Sequence, residues 1–541
     1  SDVEPAYDFE SNGPMDGGDT YPVTEEGSEE SFDDLINMDS DIESERDNLE
    51  QEGYEQMESA WADEENEQEF RPNVDLGKSF EKFKGSLDKI AHRGPDGHGI
   101  WCNENKNVML GHRRLSIIDL SDNAHQPMVL GNRYVLTFNG EIYNYLELKK
   151  ELELKGSVFK SCSDTEVILA LYSIYGISFL NKLNGMWAFG LYDIHEDILF
   201  LSRDRIGKKP LFYFKDENKL VFASEMKALY SFLPKVIPNF EVVLKAKSDV
   251  FSYEASEECL IKWIKRFPPG SFGIYCKGDL KIQRFWNIEI DKNTPIKYED
   301  QVEYFRDLFI DSCRLRMRSD VALGTALSGG VDSSATISTM AYLAKEGFST
   351  KNSDWQHAFV ASFPGSELDE TKEAKNVADY LGLKAYCVDI NPLKDIDKLF
   401  HYSYMFEEFY LTSPIPMIQL YGEVRKRGVF VTLDGHGSDE LFGGYTFHMG
   451  EKLKDDFPNP FEMLSTLKTI RQGKGLIEKF GYEHLYPYFK SSSKQKLREL
   501  ILNKNVGKYD HLNTKLYEAT FETILPTLLR NYDRYSMING V

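Results

Sequence analysis

The strongest constraint on the fold is the alternation of helical and strand-like segments after residue 300. The segment DQVEYFRDLFIDSCRLRM has apolar residues at helical spacing and precedes the short apolar run VALGTAL. Helices are then predicted over 333–346, 369–382 and 415–427, and the runs HAFVASF, AYCVDI and GVFVTLDG are typical of strands. Because such alternation places successive strands parallel, residues 301–541 are predicted to form an α/β doubly wound domain with a parallel sheet.

The preceding region shows a different pattern. Apolar residues recur at helical intervals from Phe80 to Ile90, and the strand-like runs YVLTFNG, MWAFGLYD, ILFLSRD, PLFYFK and KLVFAS follow, separated by polar turns. Closely spaced strands with few helices predict an antiparallel layered α+β domain over residues 71–232. Residues 233–300 are interpreted as a connecting region that ends on a short strand near IQRFWNI.

The negative charge of the chain is concentrated at one end. The net charge is −25, and residues 1–70 hold 26 acidic residues against one basic residue, Arg46. This segment has too few apolar residues to offset its ordering entropy, so it is predicted to be a disordered acidic tail. The alternative is that Phe32 to Met38 docks as an extra strand. The electroneutral remainder indicates neither nucleic-acid nor membrane binding.

Cysteine usage and hydropathy indicate a reducing compartment. The six cysteines have no CxxC spacing, so neither a zinc site nor a disulfide framework is indicated. No apolar run reaches the roughly 18 residues that a membrane-spanning helix needs. A cytoplasmic location is therefore expected.

The segment ALSGGVDSSA joins a predicted strand to a predicted helix. Gly329 and Gly330 allow the backbone to approach an anion, and Asp332 lies in the first turn of the helix. Free N–H groups and the positive end of the helix dipole favour phosphate at such a position. The alternative interpretation of this segment is a Gly-Gly turn followed by a polar helix cap. The segment lacks the lysine of a P-loop, which excludes an ordinary kinase or GTPase motif.

A second cluster, VTLDGHGSDELFGGY, places acidic residues after another predicted strand. Asp434 and Asp439 follow the apolar run, and ligands bind at the carboxyl ends of parallel strands. Since Mg²⁺ prefers oxygen donors, Asp332 and Asp439 are candidates to hold it on a pyrophosphate. In a third segment, FPGSELDETKEA, helix capping by Ser366 and Asp369 is the simpler interpretation.

These segments, with HRGPDGHGIW, GHRRLSIIDLSDNAHQPM, FNGEIYNYLELKKEL, SDTEVILALY and LSRDRIGKKPLFYF, resemble the glutamine-dependent asparagine synthetases over about residues 75–541. The resemblance implies a class II glutamine amidotransferase domain of the N-terminal-nucleophile fold, followed by a synthetase domain of the ATP pyrophosphatase type. It also implies that MgATP adenylates a carboxylate, after which ammonia displaces AMP to leave an amide.

The resemblance assigns residues to the ATP site. The pyrophosphate loop would comprise Leu327, Ser328, Gly329, Gly330, Asp332, Ser333 and Ser334. Ala361 would lie beside adenine, and Asp434 and Gly435 would lie near ATP. Asp332 and Asp439 would share Mg²⁺.

In the amidotransferase half, the resemblance implies that Arg114 and Asp164 hold the glutamine. Asn139 and Gly140 would form the oxyanion hole, and Glu141 would also belong to the glutamine site. A side-chain amide and a backbone N–H aimed at one oxygen suit a tetrahedral intermediate.

Three departures from the family pattern qualify these expectations. Family members begin with a catalytic cysteine whose α-amine acts as base, whereas the first cysteine here is Cys102, and Ser1 is the alternative nucleophile. A half without glutaminase chemistry is therefore expected. His436 stands where the family commonly has a glutamate, and as a catalytic residue it could still move a proton near neutral pH. The chain ends before a family loop that carries a lysine.

The leading hypothesis is amide formation from aspartate, ATP and either glutamine or ammonia. A second hypothesis keeps the chemistry but changes the acceptor to a sugar uronate or a peptide carboxylate. A third is a catalytically inactive subunit or interaction protein. It would form a homodimer or a complex in which a partner protein binds the acidic tail.

Overall fold

The computed structural model describes residues 76–288, 294–348, 354–367, 369–410, 413–457, 459–472 and 510–541. The acidic segment 1–70, for which disorder is predicted, lies outside these residues. The α-helices are α1 (Leu76–Asp88), α2 (Tyr145–Leu154), α3 (Asp164–Tyr175), α4 (Phe240–Ser248), α5 (Tyr298–Arg316), α6 (Val331–Lys345), α7 (Thr371–Leu381), α8 (Leu399–Phe406), α9 (Ile415–Lys426), α10 (Ser438–Phe442), α11 (Thr446–Asp456), α12 (Pro460–Gln472), α13 (His511–Phe521) and α14 (Ile524–Met537).

The strands are β1 (Gly97–Cys102), β2 (Met109–Arg114), β3 (Met128–Leu130), β4 (Tyr134–Ile142), β5 (Gly185–Asp193), β6 (Ile198–Arg203), β7 (Phe212–Lys215), β8 (Leu220–Ala223), β9 (Lys265–Arg266), β10 (Ser271–Cys276), β11 (Asp279–Arg284), β12 (Leu323–Ala326), β13 (His357–Ser362), β14 (Lys384–Asp389) and β15 (Val431–Thr432). Short 3-10 helices cover Ala91–Arg93, Asp122–Ala124, Gly176–Lys182, Met226–Ala228, Tyr230–Phe232 and Pro392–Lys398.

The predicted antiparallel layered domain is confirmed. Six strands form one antiparallel sheet in the order β11-β10-β6-β5-β4-β3. β10 and β11 come from the segment that was interpreted as a connecting region, so this sheet extends beyond residue 232. The extension is held by packing, because Phe272 of β10 is buried in the same core as Phe200 of β6.

Alternate residues of β4 face different layers, as the period of a strand requires. Leu136 and Phe138 pack into a core shared with α2 and α3 on one face of the sheet. Val135 packs with Leu110 of β2 and Tyr192 of β5 on the other face. The sheet is therefore buried on both sides, and the end of β4 lies between helices and strands.

The predicted doubly wound domain is also confirmed. Four parallel strands form a sheet in the order β14-β13-β12-β15. α6 and α7 pack on one face, where Ile337 and Ala374 meet Val360, and α9 and α14 pack on the other face beside Phe359. The loops that follow β12 and β15 therefore share the carboxyl edge of the sheet, where such sheets bind ligands. Among the helices of the described ranges, none is long and apolar enough to cross a membrane.

Buried ion pairs join the two halves through α14. Arg534 lies 2.7 Å from Glu225 and 3.5 Å from Glu407, and all three side chains are almost fully buried. Arg530 lies 3.0 Å from Glu254 in a second cluster. Since unpaired buried charges are costly, these contacts restrict how the C-terminal helix can pack against the amidotransferase half.

Candidate functional site

A cavity of about 100 Å³ lies beside the end of β4 and the start of α3. Among its lining residues are all five that the sequence analysis assigned to the glutamine site, namely Arg114, Asn139, Gly140, Glu141 and Asp164. The structure therefore brings this predicted set together in one place.

Gly140 lies where two strands approach each other closely. A Cβ atom at this position would lie 2.1 Å from the carbonyl oxygen of Met186 in the neighbouring strand β5. Backbone atoms cannot yield to such a contact, so only glycine fits here. The preceding residue, Asn139, donates from Nδ2 to Ser224 Oγ at 3.4 Å, which is a weak bond that a ligand can replace.

Two buried carboxyl groups give the cavity its electrostatic character. Burial raises the pKa of Glu141 to about 8, with a further increase from Asp164, whereas Lys209 and Lys208 act in the opposite direction. Glu141 Oε1 has no hydrogen-bond partner among the described residues. Burial also raises the pKa of Asp164 to about 6, although its carboxylate accepts from Ile142 N at 2.9 Å. A protonated Glu141 can donate to a ligand, whereas an ionised Asp164 accepts from one.

Arg114, which also lines the cavity, is held by backbone carbonyl groups. Its guanidinium donates to the carbonyl oxygens of Ser121, at 3.0 Å, and of Asp119. The sequence analysis did not assign His112, which also lines the cavity. Burial lowers the pKa of His112 to about 3, with Arg114 and His125 acting in the same direction, so this imidazole is neutral. The polar run GHRRLS was the available signal, but it did not distinguish His112 from its neighbours.

The predicted phosphate loop connects β12 to α6. Ser328 Oγ accepts from Gly330 N at 3.2 Å, and Ser328 N donates to Ser333 Oγ at 3.3 Å. Gly329 has a φ of 83°, and a Cβ there would lie 2.6 Å from the backbone nitrogen of Ala374 in α7. The loop is therefore compact and packed on its outer side, while the first N–H groups of α6 have no acceptor within the helix. Leu327 contributes only its backbone, because its side chain is buried in the core.

A second loop, which follows β15, touches the phosphate loop. A Cβ at Gly435 would lie 2.6 Å from Ser333 N, so glycine is required for this contact. The Asp434 carboxylate accepts from Ala326 N at 2.8 Å, from Tyr421 Oη at 2.9 Å and from Thr432 Oγ1 at 3.0 Å. Asp434 therefore ties the ends of β12 and β15 together, which leaves its backbone for the predicted contact with ATP.

Asp332 and Asp439 lie close enough to influence each other. Burial raises the pKa of Asp332, and the charge of Asp439 raises it further, while a hydrogen bond from Ser438 acts in the opposite direction. The described residues contain no cluster of three or more groups that could hold a metal ion. Two carboxylates nevertheless suit Mg²⁺, which takes its remaining ligands from phosphate oxygens and water.

The His436 ring lies against that of Tyr532 of α14, with the ring centroids 3.7 Å apart and the ring planes tilted by 32°. The His436 side chain has solvent-exposed surface, yet the surrounding protein desolvates the imidazole and so lowers its pKa. The positive charge of Lys208 lowers this pKa further. Partial exposure together with desolvation is typical of a side chain that lies in a recess open to solvent. Ala361, predicted beside adenine, lies at the carboxyl end of β13, and that role remains a prediction.

Two family models match the chain. A glutamine amidotransferase domain matches residues 71–286, and an asparagine synthase domain matches residues 304–541. The first match includes β10 and β11, in agreement with the extent of the antiparallel sheet.

Two asparagine synthetases and one amidase are among the curated proteins that are similar to this chain. Asparagine synthetase (glutamine-hydrolyzing) 1 of Bacillus subtilis is 36% identical over 86% of this chain and 72% of the relative. A putative asparagine synthetase (glutamine-hydrolyzing) 2 of Methanocaldococcus jannaschii is 33% identical over 83% of this chain and 93% of the relative. Amidase chry2 of Gibberella zeae is 33% identical over 71% of this chain, and the match spans only 58% of that relative. The chain belongs to the asparagine synthetase family, with a glutamine amidotransferase domain followed by an asparagine synthase domain.

Proposed function

We propose that this protein forms an amide at the expense of ATP, with aspartate as the acceptor. In the first step a carboxylate oxygen attacks the α-phosphorus of ATP, which yields an acyl-adenylate and pyrophosphate. In the second step a nitrogen nucleophile attacks the acyl carbon and AMP leaves with the bonding electrons. The observation that supports this proposal most strongly is the contact between the phosphate loop and the loop after β15, through Gly435 and Ser333.

In the first step, residues on the two loops would have different roles. The free N–H groups at the start of α6, beside Gly330, are suited to bind phosphate oxygens. Asp332 and Asp439 would hold Mg²⁺, which neutralises negative charge on the phosphates when it is bound. His436, a neutral imidazole at the open edge, is placed to accept or donate a proton next to the acceptor.

Glutamine is the proposed ligand of the cavity in the amidotransferase half. Arg114 and the ionised Asp164 would bind its α-carboxylate and α-amine, respectively. Asn139 Nδ2 and the backbone N–H of Gly140 would direct donors at the side-chain carbonyl oxygen. The alternative nitrogen donor is free ammonia, which needs none of these contacts.

A product assay tests the proposal. Purified protein receives MgATP, aspartate and either ammonium or glutamine, and AMP, pyrophosphate and amide are measured by mass spectrometry. We expect AMP and amide in equal amounts, with formation dependent on the acceptor. Replacement of aspartate by glucuronate or a peptide carboxylate tests the alternative acceptors. Absence of AMP with every carboxylate would instead favour a protein that only binds ligands.

A further inference from the structure

Asp119 lies between β2 and the 3-10 helix Asp122–Ala124, in a segment that borders the cavity of the amidotransferase half. Its side chain is buried, and its φ of 54° is a left-handed backbone conformation that residues other than glycine seldom adopt. Ile117 and Ile118 are among the described residues that line the cavity, whereas Asp119 is not. Asp119 therefore takes an energetically costly conformation beside the site without lining it.

The turn at Asp119 holds Arg114. The guanidinium of Arg114 donates to the carbonyl oxygen of Asp119 and, at 3.0 Å, to that of Ser121. The Asp119 carboxylate closes the same turn, because its Oδ1 accepts from Ser121 N at 3.1 Å and from Ser121 Oγ at 2.6 Å. Both acceptors of the Arg114 guanidinium therefore belong to a turn that the Asp119 side chain fixes.

The second carboxylate oxygen of Asp119 reaches the chain that carries Asp164. Asp119 Oδ2 accepts from Cys162 N at 2.7 Å, two residues before Asp164. Ser163, which lies between them, caps α3 by accepting from Thr165 N at 3.1 Å. The backbone at Cys162 thus leads directly into the helical turn of Asp164. One carboxylate joins the support of Arg114 to the support of Asp164.

The turn is also bound to the synthetase half. Asp320, which lies between α5 and β12, accepts from Asp119 N at 3.0 Å through its Oδ2. The backbone N–H of Asp320 donates to the carbonyl oxygen of Ile117 at 3.0 Å. Because these bonds hold the backbone on either side of the Asp119 Cα atom, they help to maintain its left-handed conformation.

We propose that Asp119 is a positioning residue that sets the separation of Arg114 and Asp164, so that the cavity recognises both charged groups of one α-amino acid. The inference rests on the proposed function, in which Arg114 binds the α-carboxylate of glutamine and Asp164 binds its α-amine. Two contacts to one ligand reinforce each other only if their separation matches the ligand, because the second contact then forms at a high effective concentration. Without the Asp119 carboxylate each contact still forms, but this reinforcement is lost.

Replacement by glycine separates the role of the carboxylate from the backbone strain. D119G removes the carboxylate, and glycine adopts a φ of 54° without steric cost. A misplacement of about 1 Å in a preorganised site can reduce its performance by roughly 100-fold, so we expect D119G to bind L-glutamine about 10- to 100-fold more weakly. D119N should restore most of the affinity, because asparagine tolerates a left-handed backbone and its amide oxygen can accept from Cys162 N.

Ligands that make only one of the two contacts distinguish positioning from general damage to the cavity. Glutaramate lacks the α-amine and 4-aminobutanamide lacks the α-carboxylate, and each is titrated beside L-glutamine with NMR detection. Each analogue should bind the unsubstituted protein and D119G equally, because neither depends on the separation of the two groups. Equal weakening of all three ligands in D119G would show a damaged cavity and would overturn the inference.

The matched control is D197G. Asp197 also has a left-handed φ, of 52°, and its carboxylate accepts from Tyr192 Oη at 2.7 Å, but it is exposed in the turn between β5 and β6. This substitution should leave all three titrations unchanged.

Two outcomes separate this inference from the proposed function. Glutamine binding that is equal in D119G and the unsubstituted protein refutes the inference alone. Failure of the unsubstituted protein to bind glutamine refutes the proposed ligand of the cavity, and the inference with it. Amide formation with ammonium should proceed equally in D119G, because ammonia needs no contact in this cavity; loss of that activity would show a general structural role and would overturn the assignment to positioning.

Discussion

The contact between the two loops of the synthetase edge can be tested by the substitution Gly435→Ala. The added methyl group would lie 2.6 Å from Ser333 N, 2.7 Å from the Asp332 carbonyl carbon and 3.0 Å from Asp332 Cβ. Two of these three atoms belong to the backbone, so no side-chain rotation relieves the contact. The loops must separate by about 1 Å to restore ordinary van der Waals distances.

Overpacking of this kind costs about 1–3 kcal/mol in the free energy of unfolding. The substitution should reduce ligand affinity more than it reduces stability, because the displaced atoms include an N–H of the first turn of α6. A misplacement of about 1 Å in a preorganised site can reduce its performance by roughly 100-fold. We therefore expect Gly435→Ala to fold and to bind MgATP 10- to 100-fold more weakly, at about the scale of one or two charge-assisted contacts.

Calorimetric titration with MgATP and urea denaturation measure the two effects. Gly85→Ala is the matched control, since a Cβ at that position in α1 meets no atom within 4 Å. The control should bind MgATP normally and gain slightly in stability from the higher helix propensity of alanine. Unchanged MgATP affinity in Gly435→Ala would refute the assignment of Ser333 N to the phosphate site.

Three further predictions concern charged groups. Asp332→Asn should weaken MgATP binding at least about tenfold by loss of a hard ligand, while differential scanning calorimetry should show no loss of stability, because repulsion from Asp439 is relieved. Glu141 binds a proton in the folded state up to a pH of about 8, well above its ordinary pKa of 4.5, so its contribution to stability falls as pH rises through this interval. Glu141→Gln should therefore flatten the decline in the free energy of unfolding between pH 5 and pH 7.5, measured by urea denaturation; an unchanged slope would contradict the burial argument. Arg534→Met should lower the free energy of unfolding by about 3–5 kcal/mol by exposing two buried glutamates to mutual repulsion, whereas Arg306→Met, which breaks an exposed pair, should cost under about 1 kcal/mol.

Those parts of the candidate sites that consist of backbone atoms could be predicted from the sequence. Gly329 and Gly330 with the following polar turn indicated an anion-binding helix terminus, and the structure has a compact loop there. Alternation of helices and strands likewise predicted the parallel sheet, since the period of apolar residues reports which side of each element is buried. The five glutamine-site residues could be named only by family resemblance, because their positions in the sequence are far apart.

Long-range pairing decided the features that the sequence left open. β10 joins the antiparallel sheet by pairing with β6, and β11 follows by pairing with β10. Nothing in the segment SFGIYC identifies β6 as the partner. The Asp434 carboxylate, which follows β15, accepts hydrogen bonds from Ala326 at the end of β12 and from Tyr421 of α9. Both donors are distant from Asp434 in the sequence or lie on another element, so this role was not predicted.

The sequence by itself determined the two fold classes and the glycine turn between β12 and α6, because these depend on residue type and local spacing. Only the tertiary structure placed Asp533 of α14 against Arg93 and Lys209 of the first half. A buried ion pair cannot be recognised in a sequence, since pairing depends on which distant side chains the folded backbone brings within a few ångströms. For that reason the ion pairs of Arg534 with Glu225 and Glu407 were absent from the sequence-based predictions.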